Sequence, residues 1–437
     1  MAIVHDAGAQ RPTLLLLAAT SSYRLADFRA AADADGVRLL VGTDRCHEIG
    51  RMFPEAAFGT LELDFRDLEA AVKTVTERAA SATKLGEAIV AVIPTDERTS
   101  LLAAKLCAAL GLRGNPVLAA ETTRSKAGLR AALAAASRPQ PAHRVVELAD
   151  DPASAAAALG YPVVVKPLLL SGSRGVIRCN DADELAAATL RLRRLLDDPE
   201  LRANPDPDGH RLIVESYIDG AEVAVEAILH DGVAQILAIF DKPDPLVGPY
   251  FEETIYTTPC RLPEGRQREL EAEVRAAIAA VGLSEGPVHA EVRVPPAGAP
   301  IVLEVAARSI GGLCARSLRF GLGLRTLESL VLDAALGRPV DTPLVGASGV
   351  LMIPIPRGGV LTAFDGVKEA RAVRGIEELV ISVELGRVLV PLPEGASYLG
   401  FIFARDPERS SAGAARVEAA LRKAHARLRF MIRPTLS

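Results

Sequence analysis

Short apolar runs alternate with amphipathic stretches through the first third of the chain. Leu14–Ala19, Val37–Val41 and Ile89–Ile93 are apolar and bounded by polar residues, a pattern that predicts buried strands. Stretches between and after them, such as Leu68–Ala80 and Ser100–Leu110, have helical periodicity. Because parallel strands are joined by helical crossovers, this order predicts a Rossmann-like parallel sheet with helices on both faces.

The turn after the first predicted strand argues against a dinucleotide site. Residues 17–22 read Leu-Ala-Ala-Thr-Ser-Ser and lack the Gly-x-Gly-x-x-Gly pattern, whose glycines let backbone amides approach a pyrophosphate. We therefore expect residues 1–114 to form a scaffold domain, with a wall of a substrate site as the alternative.

The rest of the chain divides into two parts. Residues 115–341 mix helical and strand patterns, including a helix over Glu121–Ala136 and a strand over Tyr161–Pro167. After about residue 342 short strand patterns and glycine-rich turns dominate, and one helix closes the chain. This texture predicts a small α+β cap over residues 342–437, so the expected fold class is α/β followed by α+β.

Two glutamates lie on neighbouring apolar segments near the middle of the chain. Glu291 lies in 288–294, which alternates, and Glu304 lies in 301–308; the turn-rich residues 295–298 join them. This pattern predicts a hairpin with both carboxylates facing one cavity. A buried pair of like charges is costly unless a cation neutralises it, and Mg²⁺ bound to nucleotide phosphates is a common solution.

Basic and glycine-rich features suit phosphate chemistry. Lys126 lies in a helical pattern, Lys166 ends the apolar run Val-Val-Val-Lys-Pro, and residues 171–175 read Ser-Gly-Ser-Arg-Gly. Glycines let backbone N–H groups approach phosphates, and lysines add positive charge. Arg308, four residues beyond the second glutamate, can supply charge to a transferring phosphoryl group. Taken singly, each feature also occurs in ordinary hairpins, solvated helices and snorkelling lysines.

A strand that ends in acidic residues suits a nucleotide. Glu215, Ile218 and Glu222 lie in Glu-Ser-Tyr-Ile-Asp-Gly-Ala-Glu, where backbone groups can face an adenine edge and the last carboxylate can accept hydrogen bonds from ribose hydroxyls. The alternative is an ordinary turn with exposed acids.

Composition and charge exclude several classes of protein. The 437 residues carry a net charge of −5, which argues against general affinity for nucleic acid or an anionic membrane surface. No run of eighteen apolar residues and no secretory signal appear. The five cysteines are dispersed, so we expect reduced thiols and a cytoplasmic protein without a zinc cluster or disulfide framework.

The order of these pieces resembles the ATP-grasp superfamily over about residues 10–430. A lysine helix is followed by Val-Val-Val-Lys-Pro, a Gly/Ser loop, Glu-x-Tyr-Ile-x-Gly-x-Glu, Asp-Lys-Pro at 241–243, two glutamates and an arginine. The resemblance implies a Rossmann-like pre-ATP-grasp domain, a two-lobed ATP-grasp domain over 115–341 and a C-terminal cap. It also implies roles for most of the residues above. ATP would be bound by Lys126, Lys166, Gly172, Ser173, Gly175, Glu215, Ile218 and Glu222.

The resemblance also implies the reacting groups. Glu291 and Glu304 would bind Mg²⁺, for which Mn²⁺ is expected to substitute, Lys242 would lie near the γ-phosphate, and Arg308 would stabilise the acyl-phosphate and tetrahedral intermediates. The family often has Glu-x-Asn-x-Arg here, but Ala306 stands in place of the asparagine. One metal or two therefore stays open.

The segment after the arginine looks most like the L-amino acid ligase branch. The resemblance implies that Ser309, Gly311 and Gly312 help to bind substrates and that Glu253 recognises an amino group. Gly312 has no side chain where some relatives carry a bulky one, so a larger first substrate is expected to fit.

The preferred function is an ATP-dependent carboxylate–amine ligase that gives ADP and phosphate through an acyl phosphate. Its expected partners are small-molecule carboxylate and amine substrates, with no nucleic acid or membrane, and the resemblance is compatible with a homodimer. One alternative is an ATP-grasp carboxylase of the biotin carboxylase or purine-biosynthetic type. Another is a nucleotide-binding regulatory protein without turnover, for which the full set of lysines, glutamates and arginine would not be needed.

Overall fold

The computed structural model describes residues 11–19, 24–44, 59–84, 87–202 and 206–435. Residues 20–22 of the predicted turn, and Cys46, lie outside these ranges.

The first part of the chain forms a parallel sheet of four strands in the order β3-β2-β1-β4. Leu14 and Leu16 pack in one hydrophobic core, while Leu15 and Leu17 pack in a second core on the opposite face. This alternation confirms the predicted Rossmann-like sheet covered on both faces. Its strands and helices are β1 (Thr13–Leu17), α1 (Leu25–Ala34), β2 (Arg38–Thr43), β3 (Gly59–Glu62), α2 (Leu68–Lys84), β4 (Ile89–Pro94) and α3 (Glu97–Leu110).

The next part contains an antiparallel sheet of four strands in the order β5-β8-β6-β7. The single helix predicted over Glu121–Ala136 is wrong. Ser125 is extended, with φ −103° and ψ 125°, and its hydroxyl accepts the N–H of Gly128, so it ends one helix and caps the next. The elements are α4 (Val117–Arg124), α5 (Lys126–Ala135), β5 (His143–Glu147), α6 (Ala153–Leu159), β6 (Val163–Pro167), β7 (Ile177–Cys179), α7 (Ala182–Leu196), α8 (Pro199–Arg202) and β8 (Arg211–Ser216).

The largest sheet has eight strands in the order β13-β12-β9-β10-β11-β14-β18-β16, and β17-β15-β19 form a smaller sheet. The elements are β9 (Ala221–His230), β10 (Val233–Asp241), β11 (Ile255–Thr258), α9 (Glu264–Val281), β12 (Gly286–Val294), β13 (Ile301–Ala306), α10 (Leu327–Ala335), β14 (Ala347–Ile353), β15 (Gly359–Asp365), α11 (Val367–Arg371), β16 (Ile376–Ile381), β17 (Val388–Leu389), β18 (Gly400–Asp406), α12 (Ser411–His425) and β19 (Arg429–Arg433).

The mixture of strands and one long helix after residue 342 confirms the α+β class predicted for this part of the chain. The large sheet nevertheless crosses the predicted boundary between residues 341 and 342, because β11 pairs with β14, as between Tyr256 and Val350. The division into three domains stays a prediction.

Candidate active site

A cavity of about 230 Å³ lies between the four-stranded antiparallel sheet and the eight-stranded sheet. It brings together most of the candidate residues from the sequence. Those that line it are Lys126, Lys166, Gly172, Ser173, Glu215, Ile218, Glu222, Glu253, Glu291, Glu304, Arg308, Gly311 and Gly312. Lys242, Gly175 and Ser309 do not line it, although the ammonium of Lys242 contacts three of the lining carboxylates.

One wall of the cavity is basic and held by a buried carboxylate. Glu215 Oε2 lies 2.7 Å from Lys166 Nζ, and its Oε1 accepts from Arg130 Nε at 2.7 Å. Burial alone would raise the pKa of Glu215, but Arg130 and Lys166 outweigh it and hold that pKa at about 2. Lys126, the first residue of α5, donates to the carbonyl of Leu170 at 2.6 Å. The side chain of Glu215 thus holds Lys166, and the carbonyl of Leu170 holds Lys126.

The Ser171–Gly175 loop closes over this wall and contacts the C-terminal part of the chain. Gly172, Ser173 and Gly175 all have positive φ, a backbone conformation that glycine adopts freely and serine only rarely. The N–H of Gly175 donates to the carbonyl of Pro393 at 2.8 Å. Residues 171–175 therefore form a tight lid that packs against the 393–396 segment, where Ala396 also lines the cavity.

The predicted glutamate hairpin is present, and its register explains the acidic wall. β12 and β13 are antiparallel, and Glu291 lies directly opposite Glu304. On its other side β12 pairs with β9, which sets His289 opposite Glu226 and Arg293 opposite Glu222. Residues two apart on a strand share a face, so these charged side chains lie on one side of the sheet.

Lys242 joins three carboxylates at the acidic end of the cavity. Its Nζ lies 2.7 Å from Glu222 and 3.1 Å from Glu291, and it also donates to Glu253. Burial would lower the pKa of Lys242, but the three carboxylates raise it well above its usual range. Burial also raises the pKa of Glu253 to about 7, although the neighbouring ammonium of Lys242 acts to lower it.

The same carboxylates suit a hard divalent cation. Ligand oxygens of Glu222, Glu253 and Glu291 lie within 4.8 Å of one another, and Glu304 faces Glu291 across the hairpin. Oxygen ligands of this kind are those that Mg²⁺ accepts, so the residues present fit such a metal. Ala306 is buried and offers no ligand.

A buried histidine lies between Glu226 and Glu291, and the sequence analysis does not predict its role. His289 Nδ1 lies 2.5 Å from Glu226 Oε1, and its Nε2 lies 3.6 Å from Glu291 Oε1. Burial would lower the pKa of His289, but Glu226 raises it to about 9. The alternating sequence His-x-Glu-x-Arg on β12, opposite Glu-x-Ala-x-Glu on β9, is the signal that could have found this cluster.

Arg308 follows β13 and reaches the first domain. Its Nη2 lies 3.7 Å from Glu97 Oε2, at the start of α3. Burial, together with Glu304, raises the pKa of Glu97 to about 7 in spite of Arg308. The N-terminal part of the chain therefore places a carboxyl group beside Arg308, a contribution that the scaffold role predicted for residues 1–114 leaves out.

The far end of the cavity is apolar. Tyr256, Cys314, Met352, Tyr398 and Phe401 line it. A Cβ on residue 312 would lie 3.1 Å from the ring of Phe401 and would narrow this end. The space therefore suits an apolar group next to the acidic cluster.

Comparison with known proteins identifies both main parts of the chain. An ATP-grasp domain model matches residues 159–317, and an L-amino acid ligase C-terminal domain 2 model matches residues 351–433. The chain thus contains an ATP-grasp domain followed by an L-amino acid ligase C-terminal domain. The L-amino acid ligase from Bacillus licheniformis has a similar structure, with a TM-score of 0.76 and 25% identity, covering 97% of this chain and 100% of that one.

Two curated relatives share part of their length with the chain. Alanine–anticapsin ligase of Bacillus subtilis is 28% identical over 255 residues, which are 55% of this chain and 52% of the relative. An uncharacterized protein of Sinorhizobium fredii is 29% identical over 310 residues, which are 70% of this chain and 62% of the relative. The ATP-grasp resemblance and its L-amino acid ligase branch are thus confirmed, while the chain spans less than two thirds of these relatives.

The helices and the cysteines bear on the predictions about a membrane span and about reduced thiols. Within the described ranges, no helix combines the length and apolar character that a membrane crossing needs. The four cysteines in those ranges are unpaired and buried: Cys107, Cys179, Cys260 and Cys314.

Proposed function

We propose that the protein is an ATP-dependent carboxylate–amine ligase that forms an amide and releases ADP and phosphate. The observation that carries the proposal is the continuity of one cavity from the lysine wall and its lid, past the acidic hairpin and Arg308, to an apolar end beside Glu253. A nucleotide-binding protein without turnover would not need the acidic hairpin with Arg308 or the apolar end of the cavity. The domain division at 114 and 341 belongs to the same proposal.

ATP would lie between the lid and the lysine wall. Lys126 and Lys166 would contact its phosphates, and the Gly172–Gly175 loop would cover them. Glu215 and the backbone of Ile218 would bind the adenine, and Glu222 would bind the ribose. In support, all of these except Arg174 and Gly175 line the same cavity.

Mg²⁺ would be held by Glu291 and Glu304, and Mn²⁺ is expected to substitute. When bound, the metal would screen the charge of the phosphates during transfer. Lys242 would lie near the γ-phosphate, where its tie to three carboxylates keeps it protonated.

The chain's own residues would contribute position and charge more than covalent chemistry. A substrate carboxylate oxygen would attack the γ-phosphorus, and ADP would leave. The amine nitrogen would then attack the acyl carbon, phosphate would leave, and the nitrogen would lose a proton. Arg308 would stabilise the negative oxygen at both stages, and the closed lid would keep water from the acyl phosphate.

An amino acid is the proposed first substrate. Glu253 would receive its ammonium group, and the apolar end near Gly312 would take its side chain. Ser309 is 4% exposed and accepts a hydrogen bond from Arg24, so we propose that it shapes the site through the backbone of the 308–312 segment. The second substrate is proposed to be a small amine, and a homodimer remains compatible with the fold.

The test is phosphate release from Mg²⁺-ATP with all pairs of the twenty amino acids and with bicarbonate, resolving ADP from AMP. We expect ADP and phosphate only with particular pairs, together with an amide product. Stimulation by bicarbonate alone would favour the carboxylase alternative, AMP would contradict an acyl phosphate, and no release with any substrate would favour a binding protein.

A further inference from the structure

The 308–312 segment leads from β13 along the cavity, and the structure holds one residue in its middle from two directions. Glu226 Oε2 accepts the backbone N–H of Ile310 at 2.9 Å, and Arg24 Nη1 donates to the carbonyl oxygen of Ile310 at 3.0 Å. Both main-chain polar groups of Ile310 are therefore bound by charged side chains from distant parts of the chain.

Each of the two charged side chains has its own buried partner. Glu226 pairs with His289 at 2.5 Å, and Arg24 Nη2 pairs with Glu328 Oε1 at 2.5 Å. Arg24 also donates to the hydroxyl of Ser309 at 2.5 Å. These five residues are between 1% and 4% exposed, so the contacts lie out of reach of solvent.

Stability alone does not account for such pairs. Taking two charges out of water costs about as much as their attraction returns, and apolar pairs of similar volume are often at least as stable. Both of these pairs also direct a charged atom at the same backbone residue. We propose that Arg24–Glu328 and Glu226–His289 are positioning pairs, which fix Ile310 and thereby the 308–312 segment. The proposal rests on the ligase function above.

Two consequences follow for the site. Arg24 directly precedes α1, so the first domain takes part in placing Arg308 and the glycines that line the cavity. His289 also approaches Glu291 at 3.6 Å, so Glu226 ties the segment to the acidic hairpin. A displacement of about 1 Å in such a site is enough to cost about 100-fold in rate.

The test is the double variant Arg24→Met with Glu328→Leu, which removes the pair and leaves neither charge unpaired. The carbonyl of Ile310 loses its donor, so amide hydrogens over residues 309–313 should exchange about ten-fold faster. The amide formed per phosphate released should fall about ten-fold, because water replaces a misplaced amine. The KM for ATP should change less than about two-fold, since the lysine wall is untouched.

The control makes the same two substitutions at an arginine–glutamate pair away from the cavity, in which the glutamate is buried and the arginine is half-buried. Arg138 Nε donates to Glu273 Oε1 at 3.1 Å, and Glu273 lies on α9. Arg138→Met with Glu273→Leu should leave both exchange over 309–313 and the amide-to-phosphate ratio unchanged. If the first double variant does not fold, Arg24→Lys keeps the charge beside Glu328 but cannot reach Ser309 and Ile310 together, and the same two shifts are expected.

Exchange is measured without substrates, so it does not depend on the ligase reaction. Unchanged exchange over 309–313 in a folded Arg24 variant would overturn the positioning role. If the wild-type protein forms no amide from any pair, the proposed function fails, while the exchange result still decides what the pair does. Faster exchange with an unchanged amide-to-phosphate ratio would also overturn the proposal, because the segment would then loosen without consequence for the site.

Discussion

Glu304 is the more informative of the two hairpin carboxylates, because no ion pair ties it while Glu291 is already held by Lys242 and His289. Among the residues that the structure describes, no basic side chain lies within 4 Å of the Glu304 carboxylate. Glu304 lines the cavity and is partly exposed to it, so its charge is available for a cation. Removing the charge at constant volume isolates that role from packing.

We expect Glu304→Gln to reduce phosphate release at least about 100-fold, because the metal and the transferring phosphoryl group lose a charge that matters most during transfer. The free energy of unfolding should change by less than about 1 kcal/mol. Phosphate release and urea unfolding are the measurements, with Glu264→Gln on the exposed start of α9 as the control. Wild-type turnover in Glu304→Gln would refute the metal assignment.

Glu97 gives a prediction for pH dependence. Burial, with Glu304, raises its pKa from near 4.5 to about 7, so between these values the folded state binds a proton that the unfolded state has lost. Stability from this group is present below pH 4.5 and is lost as the pH rises through about 7. In Glu97→Gln this loss should disappear, so relative to wild type the variant should gain up to about 3 kcal/mol between pH 5 and pH 8.

Urea unfolding from pH 5 to pH 8, without nucleotide or divalent cations, measures this difference. Glu264→Gln serves again as the control, because it makes the same substitution at an exposed position away from the cavity. Parallel stability curves for wild type and Glu97→Gln would contradict the raised pKa.

The sequence could reveal some of these residues and not others. Glu291 and Glu304 stand in short apolar strands joined by a turn, so local pattern alone predicts that they face each other. Arg130 and Arg24 bind partners 85 and 304 residues away, and no local pattern encodes such contacts. Buried arginines in helices also look the same as solvated ones in a sequence.

The lid loop needs glycine at residue 175 for two reasons, the positive φ of its backbone and the close contact of neighbouring side chains. Gly175 has φ +72°, and a Cβ there would lie 2.9 Å from the ring of Pro167 and 3.0 Å from Leu192. Gly232, in the turn between β9 and β10, has φ +78° with no heavy atom within 4 Å of the added Cβ. Alanine at either position would strain the backbone, but only alanine at residue 175 would also collide with Pro167 and Leu192.

We therefore expect Gly175→Ala to raise the KM for ATP about ten-fold and Gly232→Ala to leave it unchanged. Each substitution should cost about 1 kcal/mol of stability from the backbone strain. Steady-state kinetics and thermal unfolding of both variants decide the point. Equal effects on the KM would show that the collision at Pro167 does not govern the lid.

The sequence pattern reveals buried apolar strands, but it misses an exposed strand and the break between two adjoining helices. β1, β2 and β4 of the first sheet are mostly buried, and their apolar runs predict them correctly. β3 was missed because it has only four residues and three of them are exposed. The break at Ser125 was missed because its flanking helices are both rich in alanine and read as one.

The largest sheet binds the middle and the end of the chain together. β11 pairs with β10 on one side and with β14 on the other, so strands from before and after residue 341 share one hydrogen-bonded array. The cores follow the same rule: Ile255 packs in one cluster with Leu351 and Ile402. The change to short strand patterns near residue 342 does not reveal this shared sheet, because pairing between strands so far apart in the sequence, such as β11 and β14, leaves no local signal.

Residues 221–433, which contain β9 to β19, should therefore unfold as one unit, and a chain that ends at residue 341 should not retain the fold of β9–β13. Without β14, β16 and β18 the edge of β11 and the apolar residues around it would face water. Calorimetry of the full chain is expected to show one transition for this part, with equal van't Hoff and calorimetric enthalpies. Cooperative unfolding of the 1–341 chain near the full-length melting temperature would mean instead that the C-terminal strands are an independent cap.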